Sequence, residues 1–272
     1  MKTVLSIQDL SCVGRCSLTV TLPILSAMGC RCSALPTAVL STHTGFPSPE
    51  VISLTDRIAA MAEHWQKLDL RFDAVLTGYM ADPQQAEAVL PLLRHFKAQG
   101  SMVIVDPAMG DHGKLYSRLD DDHVFAMSEL CREADILLPN LTEAAFLTEI
   151  PYREETDGAY LRALTGGLIR YYGVASTVIT GVSGKDGTIG FAGADRKEGS
   201  FSYQAPIVPR QCHGTGDMFA AVFTGALLQD KDLYESAVLA ADFVRRCVEN
   251  TPEATPHGVD FEAQLPWLWQ QL

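Results

Sequence analysis

The chain lacks any run approaching the roughly 20 uninterrupted apolar residues that cross a bilayer, so a helical membrane span is not expected. Its opening Met-Lys-Thr-Val-Leu-Ser-Ile-Gln-Asp carries too short an apolar stretch for a secretion signal, which makes the cytoplasm the expected location. Positive charge is scarce: 21 Lys and Arg stand against 33 Asp and Glu, a formal net charge of −12. A nucleic-acid surface needs a concentrated basic face, so no nucleic-acid partner is expected. Any polyanionic ligand must be held locally, by backbone N–H groups, a metal ion and a few basic side chains. The seven cysteines include Cys12 and Cys16, then Cys30 and Cys32, but no pair of C-x-x-C knuckles. A zinc ribbon is therefore not supported, and reduced thiols in a core or pocket are the plainer expectation. No G-x-G-x-x-G follows the first apolar run and no Walker lysine is present, which counts against a dehydrogenase and against a P-loop.

What the chain does contain is 47% hydrophobic and 20% charged residues, enough for a sizeable core. Short β-branched runs alternate with helical patterns: strands over Thr3–Gln8, Arg31–Leu40 (broken at Pro36), Ala74–Thr77, Met102–Val105, Ile136–Leu138 and Thr177–Thr180. Helices are expected over about Gly14–Met28, Ser53–Leu68, Asp82–Gln99 with Asp82 as cap and Pro83 at the first position, Val124–Arg132 and Asp157–Tyr172. This alternation predicts right-handed crossovers and an α/β fold whose mostly parallel sheet carries helices on both faces. Late in the chain, Thr188–Ala192 and Gly199–Ala205 flank Gly193-Ala194-Asp195 and read as an antiparallel hairpin. Two adjacent helices follow, about Thr215–Leu228 and Leu233–Glu249. With no repeat and no linker, residues 1–272 read as a single domain.

Ligands of open α/β sheets bind beyond the carboxyl ends of the strands. That draws attention to Asp9, the Thr42-His43-Thr44 turn, Tyr79, Asp106, Asn140, Glu143 and Ser183. Gly214-Thr215-Gly216-Asp217 precedes the apolar helix Met218-Phe219-Ala220-Ala221-Val222-Phe223. Glycines let backbone approach a ligand closely, and the first N–H groups of a helix have no internal partners. With the helix dipole they form an anion site suited to phosphoryl oxygens. A carboxylate there opposes phosphate binding unless it has a task, such as taking a proton from an attacking hydroxyl; the plainer role for Asp217 is a helix cap. Asp106-Pro107-Ala108-Met109-Gly110-Asp111 and Asn140-Leu141-Thr142-Glu143 place hard oxygen donors after two further strands. Such donors suit Mg2+, which keeps several waters and takes one or two carboxylates beside phosphate, although each is also common as a turn former.

Taken together, the glycine loop with Asp217, the Asp106–Asp111 loop and Asn140-x-x-Glu143 resemble the signature set of the ribokinase superfamily. Their order is similar to its vitamin-kinase branch, which includes pyridoxal kinases and hydroxymethylpyrimidine kinases. Within that branch Ser6-Ile-Gln-Asp9, Ser41-Thr-His-Thr-Gly45 and Thr77-Gly-Tyr79-Met resemble the pyridoxal kinase pattern. The glycine-rich segment and Gln-containing turn usual in hydroxymethylpyrimidine kinases are missing. Asp9 stands where pyridoxal kinases often have serine.

The resemblance implies a three-layer ribokinase-like fold and an ATP-dependent kinase acting on the 5'-hydroxymethyl group of a vitamin B6 vitamer (pyridoxal, pyridoxine or pyridoxamine). It makes Asp217 the base and Gly214, Thr215 and Gly216 the anion hole. Asp9, Thr44, Gly45 and Tyr79, together with Asp217, would hold the vitamer. Asp106, Asp111 and Glu143 would organise Mg2+, and Asp106, Asn140, Glu143, Thr180, Ser183 and the segment Ala205, Pro206, Ile207 and Val208 would lie at the nucleotide. A monovalent cation (K+ or Na+) and a homodimer are further implications. The alternatives are a hydroxymethylpyrimidine (phosphate) kinase of thiamine synthesis and a non-catalytic vitamer or nucleotide binder. For Asp9 the choice is between pairing with a charged group of the vitamer and capping the following turn.

Overall fold

The computed structural model describes residues 1–117, 119–210, 212–252 and 257–272. The chain divides into two compact units, Met1–Gly78 with Val208–Leu272, and Tyr79–Ile207. No linker composition marks either crossing, because the chain leaves the first unit directly after a strand and returns directly after another.

The first unit opens with β1 (Thr3–Ser11), α1 (Leu18–Ala27), β2 (Arg31–Leu40), β3 (Val51–Ser53), α2 (Thr55–Lys67) and β4 (Ala74–Thr77). Strand β1 is buried along nearly its whole length and pairs in parallel with β2 on one side and β4 on the other. Burial on both faces is what a strand inside a parallel sheet shows, although here the buried residues include the polar Ser6, Gln8, Asp9 and Ser11. Pro36 does not break β2, contrary to expectation. It pairs opposite Gln8, where the β1–β2 register begins to shift, and antiparallel β3 adds only along Ala38–Leu40; a bulged stretch is where a strand tolerates a missing N–H. Strand β1 runs three residues past its expected end, so Asp9 lies within a strand rather than after one. Helix α1 begins at Leu18, not Gly14, since Gly14 and Ser17 both adopt positive φ.

The second unit contains α3 (Pro83–Ala98), β5 (Met102–Val105), β6 (Gly110–Asp111), β7 (Lys114–Leu115), α4 (Asp121–Arg132), β8 (Ile136–Leu137), α5 (Leu141–Thr148), α6 (Gly158–Tyr172), β9 (Ser176–Ser183), β10 (Thr188–Asp195) and β11 (Gly199–Pro206). Strands β5, β8 and β9 pair in parallel, and β10 and β11 extend them antiparallel. The expected hairpin is present, but its turn is not Gly193-Ala194-Asp195. Those residues continue β10, and the chain reverses at Arg196–Glu198, where Asp195 Oδ1 accepts N–H bonds from Lys197 and Glu198. Short strands β6 and β7 form a separate antiparallel pair.

The chain then returns to the first unit with α7 (Thr215–Leu228), α8 (Leu233–Asn250), a 3-10 turn (Glu262–Gln264) and α9 (Leu265–Trp269). Helix α7 is apolar all round and almost fully buried, as expected of a helix packed on several sides. It lies against α1, α8 and β4, and a Cβ on Gly225 would come within 2.4 Å of Met28 Sδ, so glycine permits the close approach to α1. The α/β class expected from the sequence is the one observed: mostly parallel strands with helices around them and a small antiparallel pair.

His123 in α4 is 1% exposed, and neither ring nitrogen has a hydrogen-bond partner. Burial holds its imidazolium form below the usual histidine pKa, against the opposing charges of Asp120 and Asp82. Between the folded and unfolded values the unfolded chain binds more protons, so stability rises with pH there and falls on acidification. The contribution of neutral His123 is therefore present at neutral pH and declines as pH falls below about 6.5. Melting temperatures from pH 7.5 to 5 should decline less steeply in His123→Met than in the wild type; identical slopes would remove this assignment.

Candidate active site

The geometry around Asp217 is built entirely within the first unit. Gly214 is the N-cap of α7 in the left-handed region, φ +86°, and as a glycine it offers the helix end no capping side chain. A Cβ on Gly214 would fall 2.2 Å from the Arg15 carbonyl oxygen, whereas one on Gly216 would meet nothing within 4 Å. The loop therefore packs tightly at Gly214 and is open at Gly216. Arg15 is itself anchored: its N–H donates to the His257 carbonyl at 2.7 Å, and its guanidinium pairs with Asp260 and Glu262 at 2.8 and 2.7 Å.

Asp217 occupies the first turn of α7. Its Oδ2 accepts the backbone N–H of Ser17 at 2.8 Å. Burial pushes its carboxyl up to about 7, opposed by that N–H and assisted by the charge of Asp9. It is thus a carboxylate poised near neutral pH, where a general base works best.

Asp9 is 4% exposed. Its Oδ1 accepts from the Ser17 hydroxyl at 2.5 Å and its Oδ2 from the Ser11 hydroxyl at 3.2 Å. Residues two apart on a strand share a face, which is how Ser11 reaches it. Burial raises the Asp9 carboxyl above the usual range, countered by both serines and by His43. Cys16 lies beside both carboxylates, and burial with their charge pushes its thiol up to about 12.

Thr44 and Gly45 are exposed on the turn after β2. The Gly45 N–H donates to His43 Nδ1 at 3.0 Å, so His43, itself buried, orients backbone. Its ring centroid lies 4.9 Å from those of Phe46 and His213. Gly14 and Gly45 leave room for these rings: a Cβ at either would collide with His43. Val208, named from the sequence with the nucleotide segment, also falls in this unit.

The remaining residues lie in the second unit. Asp106 follows β5 and is 8% exposed. Asn140 caps α5 with a reciprocal capping box to Glu143. The two loops are stitched together, since Asn140 Nδ2 donates to the Gly110 carbonyl at 2.7 Å and Met109 N–H to Glu143 Oε1 at 3.0 Å. The other Glu143 oxygen accepts the Asn140 N–H at 2.8 Å. Burial raises the Glu143 carboxyl against these donors, which favour its ionised form. Asp111 is exposed, with Oδ1 accepting the His112 N–H. Thr180 is bridged to Asn140 across β9. Ser183 ends β9, exposed, and Ala205 and Pro206 end β11. The exposed Ile207 donates its N–H to the Gly187 carbonyl. Tyr79 is half-buried with its ring 6.5 Å from that of Tyr116.

Among the described residues no group of three or more His, Cys, Asp or Glu is arranged to cage a metal. Each Glu143 oxygen already accepts a backbone N–H, so Glu143 is suited to meet Mg2+ through water, a mode Mg2+ favours. Ser17 and Ser11 were not anticipated from the sequence. The available signal was a serine three residues after Gly14 and just before an apolar helix, an N-cap pattern hidden by starting the helix too early.

The phosphomethylpyrimidine kinase family matches residues 22–260. The pyridoxine/pyridoxal/pyridoxamine kinase of Bordetella bronchiseptica is 30% identical over 262 residues, covering 92% of this chain and 90% of its own. The crystal structure of pyridoxal kinase from Lactobacillus plantarum superposes with a TM-score of 0.89 at 32% identity, over 100% of this chain and 98% of that one. A Bacteroides thetaiotaomicron protein, in a crystal form with pyridoxal, gives a TM-score of 0.93 at 34% identity over 98% and 95% of the two chains. Sequence and fold agree across almost the whole length, and the chain belongs to the pyridoxal kinases of the ribokinase superfamily.

Proposed function

We propose that the protein transfers the γ-phosphoryl group of ATP to the 5'-hydroxymethyl group of pyridoxal, pyridoxine or pyridoxamine. One observation carries this function: the Asp217 carboxylate is held by the Ser17 backbone N–H in the first turn of α7, whose N-cap is a glycine, and burial there pushes its carboxyl up to about 7. Phosphoryl transfer proceeds through a loose transition state, so catalysis rests on positioning and charge stabilisation. Asp217 takes the proton of the vitamer alcohol as its oxygen attacks phosphorus. The N–H groups of Gly214, Thr215 and Gly216 stabilise charge on the transferring phosphoryl oxygens. Thr44, Gly45 and Tyr79 are assigned to the vitamer. Asn140, Thr180, Ser183, Ala205, Pro206, Ile207 and Val208 are assigned to the nucleotide.

Asp106, Asp111 and Glu143 would hold Mg2+ through water. When bound, the ion neutralises phosphate charge. Asn140 and Glu143 fix the Gly110 and Met109 backbone, which keeps this loop in one conformation. Family likeness extends the proposal to a K+ or Na+ requirement and a cytoplasmic homodimer.

An ATP-consumption assay with Mg2+ across the three B6 vitamers and hydroxymethylpyrimidine tests the substrate assignment. At least one vitamer should exceed hydroxymethylpyrimidine in kcat/KM by about tenfold or more, as expected where a site's polar groups match one substrate and not the other. The family's description favours a second reading, a hydroxymethylpyrimidine phosphate kinase. A higher kcat/KM for the pyrimidine would establish it.

A further inference from the structure

We propose that Asp9 is a positioning residue for Asp217, acting through Ser17, and not a contact to the vitamer; this rests on Asp217 being the base. Ser17 joins the two carboxylates. Its hydroxyl donates to Asp9 Oδ1 at 2.5 Å and its N–H to Asp217 Oδ2 at 2.8 Å. Ser11 closes the other side of Asp9 at 3.2 Å. Both Asp9 oxygens are therefore directed at serines, and the side chain is buried.

The conformation of Ser17 indicates that this linkage is held against local preference. Ser17 sits at φ +49°, ψ −129°, and it is the N-cap of α1, yet its side chain makes no capping bond. A serine at an N-cap ordinarily spends its hydroxyl on the helix N–H groups, and a non-glycine residue is rarely stable at positive φ. Both departures serve one geometry: the hydroxyl turns to Asp9, and the N–H points at Asp217. Strain retained at one residue by its surroundings is a mark of functional placement.

The groups facing Asp217 and Asp9 come from several elements: Ser17 N–H from the loop before α1, Ser11 and Asp9 from β1, the Cys16 thiol, which stays neutral, and His43 from the turn after β2. Asp9 has two effects on the base. It orients the Ser17 N–H that holds one carboxylate oxygen, and its charge raises the proton affinity of Asp217.

Asp9→Asn, Ser17→Ala, their double variant and Asp217→Asn test the proposal. Asp9→Asn and Ser17→Ala should each lower kcat by about 10- to 100-fold, the loss expected of a misplaced catalytic group. KM for ATP and vitamer should stay within about threefold, since ground-state binding is not touched. The double variant should be no slower than the slower single one, because both remove the same link. In Asp9→Asn the acid limb of the kcat/KM profile should move to lower pH, a change that loss of packing alone would not produce. An unchanged kcat with a raised KM, or a reordered preference among vitamers, would show a substrate contact and overturn the proposal. If Asp9→Asn does not fold, wild-type kcat in Ser17→Ala overturns it equally. If Asp217→Asn is slow while the other variants turn over normally, Asp217 remains the base and Asp9 loses its role; if Asp217→Asn is fast, both fail.

Discussion

Asp217→Asn should bind ATP and pyridoxal with affinities within a few fold of the wild type and turn over roughly 10²–10⁴ times more slowly, the usual worth of a general base. The substitution keeps an oxygen able to accept the Ser17 N–H, so the local geometry has reason to survive. What it removes is the ability to take a proton. It also removes a negative charge from the mouth of α7, where the helix dipole and free N–H groups favour an anion. ATP affinity should therefore hold or improve slightly while kcat collapses, and that split marks an interaction made only in the transition state. With the Asp217 pKa about 7, wild-type kcat/KM should rise as pH increases toward 7 and then level, because the base works only when ionised. Steady-state rates from pH 5.5 to 8.5, with equilibrium binding of both substrates, measure these outcomes.

Gly214→Val should be nearly as damaging for a different reason. At φ +86° a β-branched residue is strained, at a cost of about 1–3 kcal/mol. The added Cβ would also lie 2.2 Å from the Arg15 carbonyl oxygen. That oxygen cannot easily retreat, since Arg15 is fixed by His257, Asp260 and Glu262. The first turn of α7 must move instead, and a displacement near 1 Å at a reacting centre can cost about 10²-fold in rate. Activity should fall at least that far, with a lowered melting temperature. Gly216→Ala, whose Cβ meets nothing within 4 Å, should keep the melting temperature of the wild type. Equal melting temperatures for Gly214→Val and the wild type would contradict the packing account.

Much of this architecture was legible in the residues. Asp82-Pro83 starts α3, with Asp82 Oδ1 accepting the Gln85 N–H at 2.8 Å, and Gly100 follows its end at φ +95°. The glycine loop and the buried helix after it announced α7, because an unbroken apolar helix preceded by Gly-Thr-Gly has few other uses. Other features depended on tertiary context. Pro36 within β2 looked like a break, yet the register shift of β1 accommodates it. The hairpin turn moved to Arg196–Glu198 because Asp195 organises the reversal, while Gly193 stays in the strand, its missing Cβ making way for the Phe201 ring. The division into two units left no trace in composition, since both crossings fall beside strands.

The candidate site divides in the same way. Asp217, Gly214 and the Asn140–Glu143 box are local motifs, and local motifs can be read from sequence. The placement of Asp9 is not local. Nothing in Ser-Ile-Gln-Asp reveals that its carboxylate faces Ser17, because that depends on Ser17 adopting a left-handed conformation that its residue type does not favour. Seven cysteines gave no framework, and all are free thiols.

The most direct test of the central claim is a rapid-quench single turnover of Asp217→Asn with ATP, Mg2+ and pyridoxal all saturating. If Asp217 removes the alcohol proton, phosphorylated vitamer should form roughly 10²–10⁴ times more slowly than in the wild type, with the substrates fully bound. A burst of product at close to the wild-type rate would contradict it.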